Sequence, residues 1–286
     1  MPIGDLQSLS DRLGEIVRTE KKSVKAIARA RPVLEELLTR RLVEEKYLRP
    51  IPGRPAAYLV YRPSERSYSI ISMVWGAGQR FPIHDHLSWG LIGVYSNAIR
   101  EVRYRQLDDG SREGYAEIEE TGVKDFSEGE ILEEGLVFDE TRRDDIHRIL
   151  NPNEKPSVSI HILASDLGMK KRHQYDPVAK TVRNFVSGYD DPEGRLDGRI
   201  VAGDDRSELL RVSPEAHLDT RGLACPLPTY HTVSKLNEIA TGRVLEVLTD
   251  SEESAFDDIP GKLKAKGHEF VVLEHRDGYW KIRVRR

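Results

Sequence analysis

The chain has 286 residues, of which 38% are apolar and 32% are charged, and this length can bury a substantial core in one or two domains. The net charge of −4, with lysine and arginine scattered among acidic residues, gives no electrostatic basis for binding nucleic acid or an anionic membrane. The N-terminal residues lack the basic and apolar layout of a secretory signal, and no apolar run approaches the length of a membrane span. These features predict a cytoplasmic protein.

Two helices are predicted near the N-terminus. Leu6, Leu9, Leu13 and Ile16 recur at helical spacing, and the same kind of pattern returns within residues 24–38.

Short β-strands are predicted from residue 57 to residue 163. These segments are rich in Val, Ile, Tyr and Trp, and turn signals separate them. They include residues 68–75, 98–106, 115–120 and 158–163. Many short strands with no long helix between them are typical of an antiparallel sandwich or barrel.

The sequence pattern changes after residue 188. Residues 189–212 begin with a polar stretch rich in Asp and Gly, which predicts a linker. The elements predicted beyond it are a strand at 217–220, a helix at 226–240, a strand at 244–248, a helix at 254–266 and a hairpin over 270–284. This βαβαββ order predicts a small two-layer α/β domain over residues 213–286, and residues 1–188 form the first predicted domain.

Three histidines are candidate metal ligands. On a strand, residues two apart point to the same face, so His84 and His86 are predicted to face one metal while Asp85 faces away. His147 opens a second apolar stretch and supplies the third imidazole.

These histidines lie in segments that resemble the two cupin motifs. Gly78, His84 and His86 match the first motif, although the carboxylate that usually follows is missing. His147 and Asn151 match the second motif. The resemblance implies a mainly β fold, a cupin (jelly-roll) barrel with N-terminal helices.

The missing carboxylate changes the chemistry expected of the metal. Three neutral imidazoles leave a divalent ion with its full charge and an open face, which suits an anionic thiolate and O₂. Zinc also accepts three histidines and a water, so the ligand set alone does not identify the metal.

Residues 58–189 resemble the thiol dioxygenases, the group of cysteine dioxygenase and 3-mercaptopropionate dioxygenase. The matching segments are Trp75-Gly76, Pro82-Ile83-His84-Asp85-His86, Trp89-Gly90, Ser165-Asp166-Leu167-Gly168, Tyr175-Asp176-Pro177 and Phe185-Val186-Ser187-Gly188-Tyr189. The resemblance implies Fe(II) as the cofactor, held by His84, His86 and His147.

The family places a Ser-x-His-x-Tyr hydrogen-bond relay beside the iron. Here Ser159 and His161 match the first two positions, and Leu163 replaces the tyrosine. A leucine cannot donate a hydrogen bond, so either the relay is incomplete or another residue such as Tyr175 takes that role. A satisfied buried pair is the alternative interpretation of Ser159 and His161.

The bacterial branch of the family holds the substrate carboxylate with an arginine eleven residues after the relay histidine. That position is Arg172 in this chain, and a guanidinium matches a carboxylate through two hydrogen bonds. The alternative is that Arg172 is a surface residue of the basic run that begins at Lys170.

The single cysteine, Cys225, lies in Leu218-Asp219-Thr220-Arg221-Gly222-Leu223-Ala224-Cys225-Pro226-Leu227-Pro228. This segment and the chain that follows it resemble the TusA-like sulfur carriers, in which the cysteine carries sulfur as a persulfide. The helix predicted at 226–240 begins just after Cys225, and its unpaired N–H groups are expected to lower the pKa of the thiol. The alternative is that Cys225 is vestigial in a domain that only binds or regulates.

The two resemblances together imply an iron-dependent thiol dioxygenase coupled to a sulfur-carrier domain. Its substrates would be O₂ and a small thiol or persulfide, with Ser159 and His161 as relay residues and Cys225 as the contact to sulfurtransferase partners. The alternative is a sulfur-relay protein whose cupin domain is a metal-binding sensor without turnover.

Overall fold

A computed structural model of the chain describes residues 3–135, 138–139, 142–143, 145–196, 198–203, 207–275 and 277–286. The chain divides into two compact units, Met1–Ser187 and Gly188–Arg286. No helix within the described ranges is both long enough and apolar enough to cross a membrane.

The first unit combines two N-terminal helices with many short strands, as the sequence predicts. Its helices are α1 (Ile3–Thr19) and α2 (Ser23–Thr39), with short 3-10 helices at Glu45–Leu48 and Leu167–Met169. Its strands are β1 (Ala56–Tyr61), β2 (Ser69–Trp75), β3 (Ile83–His84), β4 (Gly90–Ser96), β5 (Ala98–Gln106), β6 (Ile118–Ser127), β7 (Ile131–Glu134), β8 (Phe138–Asp139), β9 (Arg142–Arg143), β10 (His147–Leu150), β11 (Ser157–Leu163), β12 (Arg172–Asp176) and β13 (Thr181–Phe185).

The strands form two antiparallel sheets that build the barrel. One sheet has the order β1-β2-β11-β4-β7, and the other has the order β13-β12-β3-β10-β5-β6. The short strands β8 and β9 pair with each other. This arrangement is a cupin jelly roll, which confirms the predicted fold class of the first unit.

The helices α1 and α2 cover the outer face of the sheet that contains β11. Val158, Ile160 and Ile162 of β11 belong to the same buried cluster as the apolar faces of both helices. At Gly93 a Cβ would lie 2.6 Å from Leu38 Cδ1, so helix α2 packs closely against strand β4 and a larger residue there would require the leucine side chain to shift. Because side chains alternate along a strand, the other residues of β11 point into the barrel.

The second unit is a small α/β domain, as predicted. Its elements are β14 (Tyr189–Asp190), β15 (Arg199–Gly203), a 3-10 helix (Glu208–Leu210), β16 (Ala216–Asp219), α3 (Leu227–Glu238), β17 (Val244–Thr249), a π-helical turn (Ser254–Asp258), α4 (Ile259–Ala265), β18 (Phe270–Glu274) and β19 (Trp280–Arg285). Its sheet has the order β14-β15-β18-β19-β17-β16, and β16 and β17 are parallel.

The prediction of a linker over residues 189–212 is wrong. Both β14 and β15 lie in this segment, and β15 pairs with β18 as part of the second sheet. Tyr189 is buried, and buried Asp190 forms an ion pair with Arg199 at 3.4 Å. The polar residues that suggested a linker belong in part to the turn between two short strands. Residues 197 and 204–206 of the predicted linker lie outside the described residues.

Candidate functional site

Three imidazoles converge inside the barrel. The register of the antiparallel pair β3–β10 places His147 directly opposite His84. His86 lies two residues beyond His84, past the end of β3, and its Nε2 is 3.2 Å from His84 Nε2. The ring of His147 is centred 4.9 Å from that of His84 and 4.8 Å from that of His86. The predicted triad therefore comes together, with all three side chains buried.

The donor atoms of this cluster fit a divalent metal. His84 Nδ1 lies 2.9 Å from the carbonyl oxygen of Pro82, so its proton is on Nδ1 and Nε2 carries the lone pair. His147 Nε2 is buried and has no hydrogen-bond partner among the described residues. Burial and the positive charge of Arg172 hold the pKa of His84 well below its usual range, which keeps this ring neutral. Neutral imidazoles with converging lone pairs are the ligands that Fe(II) and Zn(II) share.

Two buried glutamates lie on the other edge of the His147 ring. His147 Nδ1 is 3.0 Å from Glu101 Oε1 and 3.1 Å from Glu134 Oε1. Burial alone would lower the pKa of His147, but the two carboxylates raise it to about 10. A metal at Nε2 therefore competes with a proton for this ring. No local motif identifies either glutamate, although an acidic residue inside the predicted strand 98–106 was a signal for Glu101.

A further carboxylate fixes the turn after His84. Asp145 Oδ2 accepts hydrogen bonds from the backbone N–H groups of His86, at 3.0 Å, and Leu87, at 2.8 Å. Leu87 has a φ of 52°, which is rare for a residue with a side chain. Asp145 thus holds the backbone that orients His86, and sequence reasoning did not identify it.

Ser159 and His161 form a hydrogen-bonded pair inside the barrel. Ser159 Oγ is 2.9 Å from His161 Nε2, and Trp75 Nε1 donates to the same Oγ at 3.0 Å. The Ser159 hydroxyl has one proton and two acceptor sites, so it can accept from Trp75 and pair with either tautomer of His161. Leu163, two residues beyond His161, is fully buried, and a Cβ at Gly90 would lie 2.4 Å from its Cδ2. A hydrogen-bonded chain therefore runs from Trp75 through Ser159 to His161, and the third position of the predicted relay is apolar.

Tyr175 does not take the role of the missing tyrosine. Its hydroxyl donates to Asp85 Oδ2 at 3.0 Å, and His173 Nδ1 lies 2.7 Å from the same oxygen. Asp85 is completely buried, and its side chain is held by β12.

Arg172 is buried and lies beside the histidine cluster. Its Nη1 donates to the carbonyl oxygen of Asp85 at 3.1 Å, and its guanidinium carbon is 4.3 Å from the centre of the Phe185 ring. Phe185 in turn meets His84, with ring centres 6.3 Å apart. Burial lowers the pKa of His161 to about 3, and the charges of His147 and Arg172 act in the same direction. The alternative of a surface arginine is wrong, because only 2% of Arg172 is exposed.

Cys225 of the second unit is exposed, just ahead of helix α3. Its Sγ donates a hydrogen bond to Asp258 Oδ2 at 3.3 Å. This hydrogen bond raises the pKa of the Cys225 thiol, and the charges of Asp258 and Glu253 add to the effect. This direction is opposite to the expected lowering of the pKa, because a carboxylate contacts the sulfur.

The second unit has the fold of a small α/β domain that presents one exposed cysteine at the start of a helix. Through residues 216–286 the chain belongs to the family described as "Sulfurtransferase TusA", whose sequence model matches that range. A putative sulfur carrier protein of Archaeoglobus fulgidus is 39% identical over 69 residues, which are 24% of this chain and 93% of the relative. The putative sulfur carrier protein YrkI of Bacillus subtilis is 38% identical over 60 residues, 21% of this chain and 76% of the relative.

Solved structures resemble both units. An uncharacterised double-stranded β-helix protein of Klebsiella pneumoniae is 18% identical and covers 43% of this chain and 86% of its own, with a TM-score of 0.29. A cupin superfamily protein of Desulfitobacterium hafniense is 10% identical, and the match covers 42% of this chain and 84% of that protein, with a TM-score of 0.28. A SirA-like protein of the same organism is 22% identical, and the match covers 24% of this chain and 95% of that protein, with a TM-score of 0.23.

Replacing His147 with alanine is expected to abolish stoichiometric binding of Fe(II) or Co(II), because two imidazoles remain and the third lone pair is lost. Metal content after anaerobic loading and gel filtration measures this. The matched control is His231→Ala, which removes an exposed histidine of the second unit. Equal metal content in the two variants would contradict the three-histidine centre.

Replacing Asp258 with asparagine is expected to lower the pKa of the Cys225 thiol, because the carboxylate that stabilises the protonated sulfur is removed. The rate of alkylation by iodoacetamide, measured as a function of pH, should rise at a lower pH in the variant. Glu252→Gln removes a neighbouring exposed charge and should leave the profile unchanged. If Asp258→Asn kept the wild-type profile, the assigned cause of the shift would be wrong.

Proposed function

We propose that the first unit is a mononuclear non-haem Fe(II) dioxygenase that adds O₂ to the sulfur of a small thiol, and that the second unit is its sulfur-carrier domain. The observation that carries this proposal is the convergence of His84, His86 and His147 beside a buried arginine. A centre built from three neutral imidazoles keeps an open face for an anionic sulfur and for O₂. Bound iron would supply the redox chemistry that lets O₂ react with a thiolate.

The reaction balances without a further reductant. A thiolate and one O₂ give one sulfinate: the O–O bond breaks, two S–O bonds form, and the sulfur loses the four electrons that O₂ gains. The thiol proton leaves before the sulfur reacts. Only the thiol and O₂ are consumed.

Arg172 favours a thiol that also carries a carboxylate, such as 3-mercaptopropionate or cysteine. Its guanidinium is buried against the Phe185 ring, and water screens a charge-assisted hydrogen bond only weakly there. A planar guanidinium donates two parallel hydrogen bonds to a carboxylate, which fixes the orientation of a short substrate. A substrate held at its carboxylate presents its sulfur at a fixed distance, which favours the reaction by proximity.

Ser159 and His161 would orient hydrogen bonds on the oxygen side of the site. Trp75 fixes the direction of the Ser159 hydroxyl, and Ser159 in turn fixes the ring of His161. The buried Leu163 adds an apolar surface where the resembling family has a hydroxyl. We expect this difference to alter rate or substrate preference while the metal ligands stay in place.

The carrier domain would accept or donate sulfane sulfur as a persulfide on Cys225. The exposed position of the thiol suits exchange with a sulfurtransferase partner. The hydrogen bond to Asp258 favours the protonated thiol, so a partner that displaces Asp258 would generate a more reactive thiolate.

A second candidate function is a sulfur-relay protein with a cupin that senses metal or thiol and does not turn over. Leu163 favours this function, because it ends the hydrogen-bond relay in an apolar side chain. Turnover distinguishes the two functions.

Anaerobically prepared Fe(II) protein is expected to consume O₂ and form sulfinate with 3-mercaptopropionate, cysteine or a persulfide. O₂ electrode traces and mass spectrometry of the product measure this reaction. Cys225→Ser should retain activity on small thiols, whereas His147→Ala should have none. Arg172→Gln should raise KM for carboxylate-bearing thiols more than for cysteamine, which lacks the carboxylate.

Absence of O₂ uptake with every thiol, in protein that retains iron, would contradict the dioxygenase and favour the sensor. Complete loss of small-thiol oxidation in Cys225→Ser would contradict the division of roles between the two units.

A further inference from the structure

The two glutamates behind His147 come from different sheets and meet at one atom. Glu101 belongs to β5 and Glu134 to β7, yet an oxygen of each lies about one hydrogen-bond length from His147 Nδ1, at 3.0 and 3.1 Å. Only 2% of Glu101 and none of Glu134 is exposed. A single N–H group thus faces two buried carboxylates.

One cation partly offsets these two carboxylates. Arg103 Nε donates to Glu101 Oε2 at 3.0 Å, and Arg103 Nη2 lies 3.3 Å from Glu134 Oε1. Glu134 Oε2 is buried and has no hydrogen-bond partner among the described residues. Burying a carboxylate oxygen without a partner is unfavourable, so a pair of this kind needs a compensating positive charge nearby. A metal bound at His147 Nε2 would supply that charge in place of a proton on the ring.

We propose that Glu101 and Glu134 are positioning residues that tune the metal through His147. They hold the ring with its Nε2 aimed at the other two histidines. The first cupin motif usually supplies a glutamate that would bind the metal directly. Here Glu101 and Glu134 place their negative charge behind the His147 ring instead. The inference rests on the proposed metal function and deepens it, because the coordination position a glutamate would occupy stays open for substrate.

The physical effect follows from the low polarity of the site. A carboxylate that accepts from the far nitrogen of a metal-bound imidazole raises the basicity of the ligand, and its loss typically weakens metal binding by about 10–100-fold. Glutamine preserves the shape of the side chain and can still accept the hydrogen bond, but it carries no charge. Glutamate-to-glutamine substitutions therefore separate the charge from the packing.

The chain offers a matched control one residue away. Glu133 lies next to Glu134 on strand β7, but its side chain is 30% exposed and forms an ion pair with Arg31 at 3.0 Å. Glu133→Gln removes the same charge from the same strand without touching His147.

The test is Co(II) affinity of the full chain, measured by competition with a chelator and by the visible absorption spectrum of the bound ion. We expect Glu101→Gln and Glu134→Gln to bind Co(II) about 10–100-fold more weakly than wild type and to shift the absorption bands. Glu133→Gln should match wild type in both readouts.

A second measurement needs only the wild-type protein and so does not depend on the variants folding. In the Zn(II)-loaded, ¹⁵N-histidine-labelled protein, the Nδ1–H proton of His147 should resonate far downfield and exchange slowly with water. A rapidly exchanging His147 Nδ1–H, with an ordinary chemical shift, would overturn the proposed pair.

The outcomes separate this inference from the function on which it rests. If all three glutamine variants bound Co(II) like wild type while His147→Ala did not, the proposed role of Glu101 and Glu134 would be wrong and the metal centre would stand. If wild type bound Co(II) no more tightly than His147→Ala, the metal centre itself would fail.

Discussion

The candidate site depends on the antiparallel pairing of β3 with β10, which sets His147 opposite His84. Neither strand is long, and the pairing extends over few residues. Asp145 reinforces it, because its carboxylate accepts two backbone N–H groups from the turn that carries His86. Without Asp145 those two N–H groups would lose their acceptor, and the third imidazole would lose its fixed direction. The geometry of the metal centre therefore rests on a carboxylate that would not contact the metal.

Opposite charges lie on different sides of the three imidazoles. Burial lowers the pKa of His84, and the positive charge of nearby Arg172 acts in the same direction. Glu101 and Glu134 lie behind His147 and raise its pKa. Positive charge therefore lies near His84, and negative charge lies behind His147. A glutamate among the ligands would place negative charge on the same side as the substrate, where it would oppose thiolate binding.

Local sequence patterns predicted the helices, most strands and the three histidines that come together. Amphipathic spacing identified α1 and α2, and the spacing of His84 and His86 with His147 identified the cluster. The features that local patterns did not predict arise from contacts between residues that are distant in the sequence. Glu134 reaches His147 from another sheet, and with 48 acidic residues in the chain no local signal separates it from a solvated charge. The raised pKa of Cys225 was not predicted for the same reason, because its hydrogen-bond partner Asp258 lies 33 residues away in the sequence.

The central claim is that a carboxylate-free three-histidine centre adds both atoms of one O₂ molecule to a thiolate sulfur. Iron-loaded protein supplied with an equal mixture of ¹⁶O₂ and ¹⁸O₂ tests it most directly, with mass spectrometry of the sulfinate as the readout. We predict product that carries either two ¹⁸O atoms or none. Sulfinate with one labelled oxygen, or with oxygen derived from water, would contradict the account.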